Sequence, residues 1–201
     1  MKEEKDRRLS EKEKRRLIVF EENCKRLSQQ GYSMTNLTIG IAKANLVVLS
    51  FTIPVVAFGV LLFLWKNPLC QLFNPTFQGA LLFIVSFIVL VVAHEFIHGL
   101  TWSMFSEHHF KDIDFGFMKE FFTPYCTCST PLSKGQYIIG ALMPCFILGI
   151  LPTVLGILLG SGLLFWIGII MFLSAGGDIL IVIKVLGYKK LSESKEILIY
   201  D

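Results

Sequence analysis

Charge is what this sequence has least of. Asp, Glu, Lys and Arg make up 17% of its 201 residues, and three stretches contain none: Asn45 to Trp65, Gly79 to Ala93 and Gly135 to Gly177. Roughly 20 apolar residues in a helix suffice to cross a hydrocarbon layer about 30 Å thick, so runs of this length exclude an ordinary soluble globule. Paired cysteine spacing is also missing. Cys24, Cys70, Cys126, Cys128 and Cys145 are scattered along the chain, and no structural disulfide is expected. Cys126 and Cys128 flank one residue, which is weak as a metal or redox signal and reads more simply as two reduced cysteines in a strand. There is no internal repeat, no low-complexity tract and no short basic leader ahead of the first apolar run. That run begins only at Asn45, so the first span is expected to be a retained anchor.

What is present is apolar: 53% hydrophobic residues, 18 of them Phe. The longest uncharged stretch must hold two spans, turning at Gly160, Ser161 and Gly162, where glycine permits a tight reversal. The sequence therefore predicts an all-α membrane protein with four transmembrane helices, near 45–65, 79–105, 136–159 and 163–185. Lys and Arg orient them. Eleven of the 19 lie at or before Lys43, Lys111, Lys119 and Lys134 fall between spans two and three, and Lys184, Lys189, Lys190 and Lys195 follow the last span. Lys66 alone falls on the other side, so the positive-inside rule places both termini in the cytoplasm of a multi-pass cell-membrane protein. The net charge of +3 then reflects topology and contact with the lipid bilayer, not nucleic-acid binding.

Three regions follow: a basic cytoplasmic arm at 1–44, a four-helix domain at 45–186 carrying an insertion at 107–134, and a short tail at 187–201. In the arm, Ser10 and Glu13 read as a capping box and Gly31 as a stop, which predicts an amphipathic helix from about 10 to 30. Its apolar residues Leu17, Phe20, Cys24 and Leu27 suit the inner leaflet, a partner, or simple packing on the rest of the chain. In the insertion, Asp112 to Phe117 alternate with the period of a strand, Phe121 to Ser129 supply a second, and Pro124 and Pro131 discourage helix; a small β-hairpin at the cytoplasmic face is expected.

The chemistry is concentrated in His94-Glu95-Phe96-Ile97-His98. On a helix, residues four apart share a face, so two imidazoles can reach one zinc ion while the intervening glutamate handles a water. Polar groups inside a membrane cost on the order of 2.5 to 3.5 kcal/mol each and need partners; a metal is one, and mutual pairing or a water-filled gap is the alternative. A third ligand is required. Glu107 would lie about 13 Å further along a continuous helix than His98, too far to share an ion, and His108 and His109 follow it. Thr101 and Met104 stand where the metzincin extension needs Gly and His. Asp178 is the better candidate. Spans two and four run in the same direction, and His94 and Asp178 each lie about 22 Å below the outer ends at Gly79 and Leu163, in the cytoplasmic half of the bilayer. Structural pairing of Asp178 with Lys184 or another polar group is the competing reading.

Such a site implies metal-assisted peptide hydrolysis, with an edge strand of the hairpin available to an extended peptide or membrane-protein substrate. A metal-stabilised adaptor or regulator without catalysis is the first alternative, and a metal transporter the second, disfavoured because no line of polar residues leads to the outer side. Pro54, Pro144 and Pro152 are expected to kink their spans, as hinges or through packing alone.

Over residues 80 to 187 the chain resembles the family described as putative zincin peptidases, small bacterial membrane proteins. The likeness is carried by HEFIHGL, by TPYC at Thr123 to Cys126, by Pro144 and by GGD at Gly176 to Asp178. In layout it is similar to site-2 intramembrane proteases, with the motif on one span and an Asp on the next but one, although the Asn, prolines and Leu-Asp-Gly of that class are absent around Asp178. The resemblance implies His94, His98 and Asp178 as ligands of Zn2+ and Glu95 as the catalytic base of a zinc metalloendopeptidase.

Overall fold

Glycine or a small hydroxyl residue marks several of the helix ends. The computed structural model describes residues 11–32, 34–35, 41–73, 76–118, 123–187 and 198–199. A first helix, α1, covers Glu11–Gln29, and Gly31 stops it with a φ of 81°. Helix α2 follows at Ile41–Lys66 and holds Pro54. Ser50 and Thr52 donate their hydroxyls to the carbonyls of Val47 and Val48, so their polarity is satisfied inside the helix, as hydrocarbon surroundings demand. A single turn, α3 (Leu69–Leu72), leads to α4 at Phe77–Ser103, capped by Thr76, whose hydroxyl accepts from the Gly79 N–H at 3.0 Å.

The third apolar rod is one 26-residue unit, Lys134–Leu159, made of α5 (Lys134–Pro144), a wide π-helical turn (Cys145–Ile150) and α6 (Leu151–Leu159). Ser133 and Gln136 form a capping box at its start. Gly160, at a φ of 67°, closes it, and Ser161 starts α7 (Gly162–Ser174) by accepting from the Leu164 N–H. The expected hinge is thus the observed one. The fourth apolar stretch differs from the continuous helix expected: it breaks at Ala175 and resumes as α8 (Gly176–Gly187), bent by 46°. By length and composition α2, α4 and the third rod can each cross a membrane, and α7 with α8 makes a fourth if the bent pair is one span. Leu81, Ile84, Ile88 and Val92 on α4 are all more than half exposed, an apolar surface that water would not tolerate but lipid would cover.

Close backbone approach ties α6 and α7 together. A Cβ on Gly156 would lie 2.5 Å from the Phe165 nitrogen, and one on Gly168 would lie 2.4 Å from that of Thr153. Between α4 and α5, β1 (Ile113–Met118) pairs antiparallel with β2 (Thr123–Cys128), placing Phe115 opposite Cys126. The hairpin expected from alternation is present, with Cys126 and Cys128 buried in β2, and none of the five cysteines is in a disulfide. One pairing was not anticipated: β3 (Leu132–Ser133) meets β4 (Leu198–Ile199) from the tail. The expected capping residue Ser10 lies outside the described residues.

Buried apolar residues form two groups. Phe63, Leu72, Phe165 and Ile169 fill one end of the bundle; Trp102, Cys126, Tyr137, Ala141, Val182 and Val185 fill the other, beneath the hairpin. The second group includes Trp102 of α4, one turn beyond His98.

Candidate metal centre

His94 and His98 sit one turn apart on α4 and are both buried. Their rings meet edge to face with centroids 4.8 Å apart, which directs both Nε2 atoms to one point. Asp178 arrives from the first turn of α8. The bend at Ala175 carries it there, and Gly176 lets α8 press on α2: a Cβ at that position would stand 2.4 Å from Val48 Cγ1. A Cβ on the neighbouring Gly177 would meet nothing within 4 Å.

Three donor atoms converge. His94 Nε2 lies 3.1 Å from Asp178 Oδ2, His98 Nε2 lies 3.5 Å from the same oxygen, and the two nitrogens are 3.2 Å apart. A tetrahedral ion with bonds of about 2.0 to 2.1 Å separates its ligands by roughly 3.3 Å, so the triangle has the dimensions zinc requires. Hydrogen bonds alone fill it poorly. His98 donates its Nδ1–H to the Gly140 carbonyl at 2.9 Å, leaving Nε2 bare. With neutral rings, only the Nε2 of His94 can then bring a proton, and one proton cannot satisfy three edges; a cation satisfies all of them at once. The Nδ1 of His94 is buried without a hydrogen-bond partner, so no protein group fixes that ring as Gly140 fixes its neighbour.

Glu95 stands beside the triangle. The backbone of Cys126 in β2 bonds its carboxylate. It also lines a hollow of about 290 Å³ with Val92, Phe96, Phe115, Pro124 and Tyr125, which opens between α4 and the hairpin. The hairpin thus places a carboxylate, an apolar hollow and a metal-sized triangle side by side.

The residues weighed and set aside as ligands lie elsewhere. α4 ends at Ser103, and His109, with a φ of 56°, donates from Nδ1 to the Ser103 carbonyl at 3.0 Å. The His108 backbone N–H bonds Asp112 Oδ2 at 2.8 Å, and its ring faces Oδ1 at 3.2 Å. In the sequence Asp112 reads only as one polar position of an alternating strand; in the structure it ends the short turn His109–Asp112 ahead of β1. It is the centre of a knot: Thr130 donates to its carboxylate, Ser129 bonds its carbonyl, and Asn23 of α1 reaches the Ser129 carbonyl at 2.9 Å. Burial opposes its charge, but the Thr130 hydroxyl and the His108 amide and ring outweigh that and hold the carboxyl below its usual range.

Two helices thus present a His-x-x-x-His pair with an intervening Glu, and a carboxylate, in the arrangement of a zincin-type metal site. A family model described as "Putative zincin peptidase" matches residues 87–192, and the chain belongs to that family. The match includes both the α4 motif and Asp178. No curated protein and no solved structure matches the chain.

Proposed function

We propose that this protein is a zinc metallopeptidase embedded in the cell membrane, with four spans, cytoplasmic termini and its site in the inner half of the bilayer. His94, His98 and Asp178 hold the metal. The observation that carries the reading is the convergence of three donor atoms, from helices 84 residues apart in sequence, into a triangle of zinc's dimensions. Bound there, zinc polarises a carbonyl and brings the pKa of a water towards ~7.

The chain's own residues supply the rest. Glu95 takes a proton from the attacking water and passes it to the departing amine, so the carboxylate is restored and one water is consumed per peptide bond. The Cys126 amide fixes that carboxylate, and the hollow beside it admits apolar side chains. Backbone of the hairpin can pair with an extended segment of peptide or membrane-protein substrate, which orients the scissile bond with little demand on sequence.

The test is cleavage of fluorescent casein and of single-span membrane peptides by protein reconstituted in lipid vesicles. Zinc-dependent products that vanish in Glu95→Gln, with zinc still bound, are expected. Indifference of every cellular effect to that substitution would instead favour a metal-stabilised adaptor.

A further inference from the structure

In an α-helix the N–H of each residue bonds the carbonyl four positions earlier. Pro144 has no N–H, so the carbonyl it would have engaged, that of Gly140, is released from the helix ladder of α5. This is the carbonyl that accepts the Nδ1–H of His98 at 2.9 Å. The next residue, Cys145, does not reclaim it, because its N–H turns to the Leu142 carbonyl instead. Pro144 is fully buried, and the wide π-helical turn begins directly after it.

The other side of Gly140 is equally specific. A Cβ there would meet Trp102 Nε1 at 2.0 Å and Cδ1 at 2.1 Å, so the indole lies directly against the backbone. Trp102 is anchored by donating Nε1–H to the Tyr137 carbonyl at 3.3 Å. It stacks on His98 with centroids 5.1 Å apart and planes 15° from parallel, and on Tyr137 at 5.5 Å and 19°. One face of the His98 ring is therefore clamped, and its Nδ1 is held by a carbonyl with no competing helical donor.

We infer that Pro144 is a positioning residue for the metal centre: by withholding an N–H it keeps the Gly140 carbonyl for His98, which fixes the imidazole as the Nδ1–H form with Nε2 aimed into the triangle. Gly140 and Trp102 complete the device by setting the distance between α4 and α5. This rests on the reading of His98 as a metal ligand. A role in helix bending alone would need none of these contacts.

Pro144→Ala separates the two. It supplies an N–H that draws the Gly140 carbonyl back towards the helix axis, and it removes a helix breaker, so the fold is expected to hold or strengthen while the metal site loosens. In detergent-purified protein, zinc affinity measured by competition with a chromogenic chelator is expected to fall about 10-fold or more, the range typical when a partner of a ligating histidine is lost. Pro152→Ala, the same change within α6, is expected to leave affinity unaltered. Nitrogen-15 spectra of metal-free protein give a second readout, since the chain has four histidines and His98 can be assigned by substitution. The Nδ1–H form should dominate in the natural chain and lose its dominance in Pro144→Ala. Unchanged affinity and tautomer in Pro144→Ala, with zinc binding abolished in His98→Ala, would overturn the inference and leave the metal site standing. A natural chain that binds no zinc would remove both.

Discussion

The Nε2 of His94 lies 3.1 Å from Oδ2 of Asp178, a contact between the second and last apolar segments of the chain. Neither side chain has a reason to be where it is without the other. An imidazole and a carboxylate facing each other among apolar helices are costly unless paired, and the bare Nε2 of His98 beside them makes a cation the group that completes the set.

Removing the carboxylate is therefore the most direct trial of the site. Asp178→Asn preserves shape and one oxygen but not charge, and Asp178→Ala removes the donor outright. Zinc per chain, measured by elemental analysis after purification, is expected to fall from about one towards none in Asp178→Ala and to an intermediate value in Asp178→Asn. Full zinc content in Asp178→Ala would mean that the contact with His94 is an ordinary ion pair.

Glu95→Gln probes chemistry without disturbing the metal. The amide keeps the size of the side chain and still accepts from Cys126, but it cannot take up a proton. Peptide hydrolysis is expected to drop by about 10² to 10⁴-fold, the usual contribution of a positioned base, with zinc content unchanged. Equal rates for both proteins would remove Glu95 from the reaction.

Asp112 offers a test by pH. Its carboxyl is held below the usual range, so the unfolded chain binds its proton more readily than the native one does. Stability from this group is present above the ordinary aspartate pKa of about 3.9 and is lost as pH falls through the lower native value. The natural chain should thus unfold at a higher temperature than Asp112→Asn at pH 6, and the gap should narrow below about pH 4. A gap that does not narrow would show that the knot around Thr130 and His108 does not depend on this charge.

Much of this arrangement is legible in the residues and some of it is not. The Gly160 turn is readable because glycine permits a tight reversal in an apolar neighbourhood, and the expectation that His94 and Asp178 can meet comes from counting helix rise along two apolar stretches. The break at Ala175 leaves no such mark: nothing there is a proline, and the close seat of Gly176 on Val48 is a contact between segments more than 100 residues apart. The β3–β4 pair spans two residues a side, too short to show a period. The partner of His98 is a backbone carbonyl, which has no letter of its own; Pro144 was its only sign, and a proline in a span reads first as a kink.

Packing of α6 on α7 can be checked by adding a single methyl group. Gly156→Ala places a Cβ 2.5 Å from the Phe165 nitrogen, which cannot yield without separating α6 from α7. A loss of roughly 1 to 3 kcal/mol is expected from unfolding in detergent micelles. Gly135→Ala, where a Cβ meets nothing within 4 Å, is expected to be neutral or slightly stabilising. Similar losses for both would mean that helix propensity, not close approach, governs the effect.

Orientation can be read from cysteines already in the chain. Cys70 lies on α3, beyond Lys66 at the end of α2, and is exposed, whereas Cys24 lies on α1 ahead of every apolar helix. In the proposed topology one crossing of the bilayer by α2 separates them, whichever way the protein faces. With cytoplasmic termini, a membrane-impermeant maleimide added to intact cells should label a chain keeping only Cys70 and spare one keeping only Cys24, and permeabilisation should expose the second. The reverse pattern would invert the topology and move the metal centre to the outer half of the membrane. Labelling of both from outside would remove α2 as a span and place the arm on the same side of the membrane as α3.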